Sequence, residues 1–362
     1  MSRTRFTKFL FSGLLFSLLL LSAPVFSQQP LTFPRASPQA EVSQTIGFSE
    51  IEINYSRPAV NGRKIWGALV PYGLTNFGFG AGNPAPWRAG ANENTTISIT
   101  DDCRIEGKLL KAGTYGLHII VNPDEWTFVF NRQFQAWGSF FYDKSEDELR
   151  VSVKPEEAEF VERLIYGFDN ITNRSTRAYI HWEKMKAGFN IEFDVHAIVL
   201  ENFRDQLSGL AGFGHIGFGQ AANYCFQNNV NLDEAMIWID KALTLNGGPN
   251  FNYLNTKSGL LNLQDKNKEA EEALEQAFEI ATEAELNTYG YQLMNNGNME
   301  KALEIFSTNL KRHPESWNAH DSLAEANKNA GNTDKAKKLY QKAHDLAPEA
   351  QKARIKGILD TL

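Results

Sequence analysis

NMEKALEIFSTNLKRHP at residues 298–314 and NTDKAKKLYQKAHDLAP at residues 332–348 are two copies of one pattern. Superposed, they match Ala302 with Ala336, Phe306 with Tyr340 and Pro314 with Pro348, each pair 34 positions apart. Gly297 and Gly331 stand at the same offset and supply the turn between helices. A repeat of this length, with apolar residues about 3.6 apart, reads as a pair of helices that cannot bury its apolar face alone. Stacking such pairs makes a continuous core with a concave surface. Upstream, NKEAEEALEQAFEIA, centred on Ala270, and NLDEAMIWIDKALTL, centred on Ala235, are degenerate copies. They lack the turn glycine at its usual place and the closing proline. Four helix pairs are therefore expected over about residues 216–350, with residues 351–362 as the capping helix such arrays need.

The marked alanines, the aromatic four residues later and the closing proline resemble tetratricopeptide (TPR) repeats. The resemblance implies an all-α superhelix that serves as a protein- or peptide-binding scaffold. Propping up the rest of the chain, or self-association, would use the same surfaces.

Before Gln206 the period is two. Ile51 and Ile53, Ile97 and Ile99, residues 115–121, residues 126–130, Leu149 with Val151 and Val153, and Ala178 with Ile180 and Trp182 alternate with polar neighbours or follow turn signals. Phe189, Ile191, Phe193 and Val195 close the series against Asn190, Glu192, Asp194 and His196. Such alternation buries one face of each strand and solvates the other, as in antiparallel sheets. Two packed sheets, a β-sandwich or jelly-roll-like fold, are expected. The fold class is thus α+β multidomain. It places an antiparallel β-sandwich at residues 28–200, a glycine-rich linker at 201–215 and the helical repeat domain at 216–362.

Residues 1–27 read as a secretory signal peptide. Arg3, Arg5 and Lys8 precede the apolar run 9–21, and Val25-Phe26-Ser27 offers small residues for cleavage. The run is too short for an ordinary membrane span, so the mature chain is expected to start near Gln28 and not to be integral to the membrane. The formal net charge of −7 gives no basic face for nucleic acid. Cys103 and Cys225 are the only cysteines and read as isolated buried thiols.

The longest stretch without a strand or helix pattern is PYGLTNFGFGAGNPAPWRAGANEN at residues 71–94. A loop of this length inside a compact domain is either functional or disordered, and Phe77, Phe79 and Trp87 argue for order. Arg88 beside Trp87 can present a planar fork to a carboxylate or phosphate, or stack on a sugar, and Asn92 and Asn94 can add amide groups. The structural alternative pairs Arg88 with Glu93 or Asp101 while Trp87 caps the core. Trp137, within WGSFFYD, can form an aromatic platform for a glycan or peptide, or pack in the core. His118, His181, His196 and Asp194 are metal-ligand types without the spacing of a metal motif, so no metal site is assigned. His118 is the most interesting of them. No nucleophile elbow or Walker motif occurs in the sequence, and no cofactor is implied.

SQTIGFSEIEINYSRPAVNGRKIWGALVPYG at 43–73, PWRAGAN at 86–92, IEGKLLKAGTYGLH at 105–118 and WGSFFYD at 137–143 together resemble the DUF2911 family. The resemblance covers about residues 37–197. It implies a β-rich extracytoplasmic domain in the periplasm of a Gram-negative bacterium, and it carries over no catalytic residues. Against shorter members, residues 77–86 are an insertion. The sequence thus points to an exported, non-enzymatic binding or scaffold protein, with ligand candidates Trp87, Arg88, Asn92, His118 and Trp137 and a protein, peptide or glycan as the partner. The competing expectation is an envelope hydrolase built on His118, Asp101 and Arg88.

Overall fold

The computed structural model describes residues 33–76, 78 and 82–362. The signal-peptide expectation, and Phe77 and Phe79, lie outside the described residues. The chain divides into two compact units, one ending at Phe193 and one beginning at Asp194.

Among the described residues the first unit holds ten strands: β1 (Gln39–Ile46), β2 (Ser49–Ser56), β3 (Thr95–Ile99), β4 (Cys103–Ile105), β5 (Lys108–Leu110), β6 (Gly113–Val121), β7 (Trp126–Asn131), β8 (Asp147–Val153), β9 (Glu156–Asp169) and β10 (Ser175–Phe193). They form two antiparallel sheets, ordered β1-β2-β3-β6-β7-β8 and β5-β4-β10-β9. The alternating residues Ile51, Ile53, Ile97, Ile99, Leu117 and Ile119 are all buried, as their period required. The sheets meet where Phe189 of β10 packs edge-on against Phe128 and Phe130 of β7, with ring centroids 4.8 and 5.3 Å away.

One expectation is corrected at the end of this unit. Ala178, Ile180 and Trp182 belong to the same strand as Phe189, Ile191 and Phe193, although the first three are even-numbered and the last three odd. The pairing of β10 with β9 shifts register on either side of Glu183, whose φ is +56°. A bulge there inserts the extra residue that moves the buried set from one parity to the other. Val195 and His196 do not continue the strand. The Asp194 carboxylate accepts a hydrogen bond from the Ala197 amide at 3.1 Å and starts a helix instead.

The second unit is helical: α1 (Val195–Ser208), α2 (His215–Asn228), α3 (Leu232–Thr244), α4 (Phe251–Leu263), α5 (Asn267–Ile280), α6 (Glu283–Asn295), α7 (Met299–Arg312), α8 (Trp317–Asn329), α9 (Thr333–Leu346) and α10 (Glu349–Leu359). Residues 201–215, expected as a linker, carry the second half of α1 and a short 3-10 turn, Leu210–Phe213. Four antiparallel hairpins follow, α2/α3, α4/α5, α6/α7 and α8/α9, one for each copy of the repeat. Ala235, Ala270, Ala302 and Ala336 are all buried, so that the backbones approach closely at the marked positions. Gly297 and Gly331 both take φ +80°, the left-handed turn their place in the repeat demanded. Ile355 of α10 seals the last hairpin against Tyr340. Among the described residues no helix is long and apolar enough to cross a membrane.

Candidate functional site

Residues 85–94 run beside β6 beyond the point where β3 begins to pair with it. Trp87 and Ile119 exchange both backbone hydrogen bonds, at 3.0 and 2.9 Å. Adjacent residues of an extended segment face opposite ways, and this separates Trp87 from Arg88. Trp87 shares the face of Ile119 between the sheets. It stacks on Trp182 with ring centroids 6.0 Å apart and meets Trp66 edge-on at 5.9 Å. It therefore caps the core, and the joint Trp–Arg surface expected from the sequence does not form.

Arg88 lies on the outer face of the six-stranded sheet. Its guanidinium sits 4.7 Å over the Phe140 ring, and Nη1 donates to the Asn92 carbonyl at 2.6 Å. Gly138, at φ +60°, leaves room for it: a Cβ there would stand 2.6 Å from the guanidinium carbon. Glu93, the expected partner, is taken by Arg35 at 2.7 Å to both carboxylate oxygens. Asp101 accepts instead from the Thr100 hydroxyl, at 2.8 Å. Among the described residues no carboxylate forms an ion pair with Arg88. Partial burial draws its pKa down.

The neighbouring polar groups are committed to the loop itself. The Asn92 amide donates to the Ser37 carbonyl and the Ser56 hydroxyl, both at 3.2 Å. The Asn94 amide donates to the carbonyls of Gln133 and Phe134, at 2.9 and 3.3 Å. The Ala89 carbonyl accepts from the hydroxyls of Thr95 and Tyr166, at 3.1 and 2.8 Å. Asn92 is thus a brace, held at φ +61°.

His118 points to the same outer face as Ile120 and Val129, beneath residues 132–143. Its Nδ1 shares a 3.0 Å hydrogen bond with the Ser139 hydroxyl, and Tyr142 meets the ring edge-on at 5.6 Å. Burial pushes the imidazole down to about 4, against a smaller opposing pull from Asp147, so the ring is neutral near pH 7. The Tyr142 hydroxyl donates to Asp147 at 2.7 Å and receives a hydrogen bond from Arg150 at 2.6 Å. Asn131 completes the set by donating to Asp147 at 2.8 Å. Ser139, Asp147, Arg150 and Asn131 went unread in the sequence because nothing in their spacing signals a partnership made across the sheet. Trp137 and Phe141 are more than half exposed, at 51% and 58%.

The expected hydrolase trio does not converge. Asp101 follows β3 at the end opposite Asn94, about 20 Å away at the strand rise of roughly 3.3 Å per residue. The other histidines are engaged singly: His181 with the Glu159 carbonyl at 2.7 Å and His196 with the Tyr224 hydroxyl at 2.8 Å. Among the described residues no group of three or more His, Cys, Asp or Glu side chains could hold a metal ion. Both cysteines are free and buried, and burial raises Cys103 to about 12 and Cys225 to about 11.

A second candidate lies in the helical unit. A cleft of about 510 Å³ opens between the hairpins α4/α5 and α6/α7. That volume is within the range of small-ligand pockets, roughly 300–1,000 Å³.

Comparison with known proteins agrees with the two-part architecture. Residues 37–191 match the family described as "Protein of unknown function (DUF2911)", and residues 318–349 match the tetratricopeptide repeat. No curated protein matches the chain. Among solved structures, MamA is 17% identical, with 43% of this chain and 89% of that one covered and a TM-score of 0.28. PilF of Pseudomonas aeruginosa is 18% identical, covering 36% and 60%, with a TM-score of 0.25. The C-terminal part of a TPR repeat-containing protein from Cytophaga hutchinsonii is 16% identical, covering 46% and 67%, with a TM-score of 0.31. Likenesses at this level say nothing about function.

Proposed function

We propose that this protein is an exported, periplasmic scaffold whose helical unit holds a segment of a partner protein. On this reading the Arg88 face of the β-unit is a second recognition surface. The observation that carries the scaffold is the array of four stacked hairpins, each built on the same buried alanine and the last matching the tetratricopeptide repeat. Such arrays expose long surfaces while each hairpin is held by its neighbours, which suits them to binding extended chain segments. Arg88 supports the second surface because its guanidinium is held over the Phe140 ring and carries no paired carboxylate among the described residues. Capture from envelope extract by the mature full chain tests both parts. A stoichiometric partner that is retained by the chain and lost with Arg88→Ala supports the Arg88 face as a recognition surface. A partner indifferent to Arg88→Ala removes the second surface, and capture of no protein at all contradicts the scaffold.

A glycan ligand has one observation in its favour, the exposure of Trp137 and Phe141 beside Phe140. Aromatic faces open to solvent are where sugar rings stack. A soluble-glycan screen that leaves Trp137 fluorescence unchanged would set this second reading aside.

A further inference from the structure

The four copies of the repeat differ at one position that governs how tightly neighbouring hairpins close. Four residues after the marked alanines stand Ile239, Leu274, Phe306 and Tyr340. Three of these are sealed, with exposures of 0%, 0% and 1%, whereas Leu274 is only partly buried. In the third hairpin Phe306 is a wedge. Its ring meets Tyr291 edge-on at 5.1 Å and packs with Leu323 and Ala326 of α8. Gly290 makes way for it, since a Cβ there would stand 2.6 Å from the ring. In the second hairpin the shorter Leu274 leaves that volume open, and the 510 Å³ cleft is found there, bounded by Leu293 of α6 and Ile305 of α7. One end is shut firmly. Tyr289 packs edge-on against both Phe251 and Phe278, and Arg312 donates to the carbonyls of Phe278 and Ala281 at 2.6 and 2.7 Å. The cleft is therefore held open by a missing wedge between anchored helices.

Its mouth carries an uneven charge. Glu271 and Glu275 of α5 and Glu304 of α7 line it, against a single cation, Lys301. Among the described residues none of the four forms an ion pair. Unpaired carboxylates beside the apolar side chains of Leu274, Phe278, Leu293 and Ile305 complement a bulky apolar side chain flanked by cations.

We propose that the cleft between α5 and α7 receives a partner peptide that inserts an aromatic or large aliphatic side chain where Leu274 falls short, with lysine or arginine beside it to meet Glu271, Glu275 and Glu304. The site draws on the second helices of its two hairpins as well as the first, and it rests on the scaffold reading. The guest's side chain does for the second hairpin what Phe306 does for the third, and its cations make binding sensitive to salt.

The full chain, titrated calorimetrically with the end-blocked pentapeptide Ala-Lys-Phe-Lys-Ala and with its glutamate counterpart Ala-Glu-Phe-Glu-Ala, provides the test. The lysine peptide is expected to bind at least tenfold more tightly in low salt, with the difference shrinking as salt is raised. Leu274→Phe fills the cleft and weakens binding at least tenfold. The double change Glu271→Lys and Glu275→Lys, on a solvated mouth and safe for folding, removes the preference for lysine. Equal affinities, no binding of either peptide, or full binding by folded Leu274→Phe would overturn the proposal. If Leu274→Phe does not fold, the charge-reversed variant decides alone. Capture of an envelope partner that survives charge reversal leaves the scaffold standing without this cleft, whereas capture of none by the unaltered chain removes the scaffold itself.

Discussion

The outer face of the β-unit around Arg88 and the cleft beside Leu274 are both places where the chain departs from regular structure, and they use polar residues in opposite ways. Around Arg88 nearly every amide and hydroxyl is turned inward to fix the loop: Asn92 on Ser37 and Ser56, Asn94 on residues 133 and 134, His118 on Ser139. Beside Leu274 the carboxylates of Glu271, Glu275 and Glu304 are left without ionic partners among the described residues, next to the apolar side chains of Phe278, Leu293 and Ile305. Unusual residues in a sequence thus need not mark an open surface. A missing side chain in a regular repeat can mark one, because close-packed interiors do not leave such volumes unfilled.

The largest expected effect contrasts a filled joint with an open one. Phe306→Ala should cost about 3–5 kcal/mol in denaturant unfolding, because a fully buried aromatic leaves a cavity. Leu274→Ala, at an already open joint, should cost about 1 kcal/mol or less. Equal losses would mean that the two joints are packed alike.

Next in size is a pH effect from the β-unit. His118 is held near 4 in the folded chain, while an unfolded histidine titrates near 6.5. Between those values the unfolded chain binds more protons, so stability rises with pH across this window. The contribution is fully present above pH 6.5 and is lost as pH falls toward 4, by up to about 3 kcal/mol at roughly 1.36 kcal/mol per unit. His118→Asn should flatten the slope of unfolding free energy between pH 4 and 6.5, and a slope unchanged by this variant would put the titration elsewhere.

Asn92→Ala removes two hydrogen bonds and should cost about 1–3 kcal/mol of stability. Were Asn92 a ligand group and not a brace, the thermal midpoint would stay where it is. The smallest effect belongs to the cleft: Leu274→Phe should stabilise by about 0.5–1 kcal/mol if the added ring fills the space without strain. A loss in thermal midpoint would mean that the helices cannot accept a wedge there.

How far these features could be read in the sequence varied with the range of the interactions that make them. The helical unit was legible because each repeat speaks for itself: four alanines and two turn glycines placed four hairpins. Strands buried on one face, such as those of Ile51 and Ile97, were equally plain. The edge strands β1 and β9 were missed for different reasons: β1 alternates, but its inward side chains are only half-buried and include the polar Gln44, whereas β9 shows no regular alternation over most of its length. Around the loop, Arg88, His118 and Trp137 stood out by residue type. Their partners lie across strands and tens of residues away, as Ser139 does from His118, and no local pattern ties them together. The division between Trp87 and Arg88 followed from a single backbone pairing with Ile119, which the sequence does not display. Leu274 was visible all along as the short member of an aligned set, but its meaning needed the cavity.

The central claim, that the helical unit takes a partner segment at its open joint, is tested most directly by methyl NMR of the full chain mixed with the peptide Ala-Lys-Phe-Lys-Ala. The account predicts shifts concentrated at the methyls of Leu274, Leu293 and Ile305, with those of the β-unit unmoved. Shifts confined to the β-unit, or none at these three residues at saturating peptide, would contradict it.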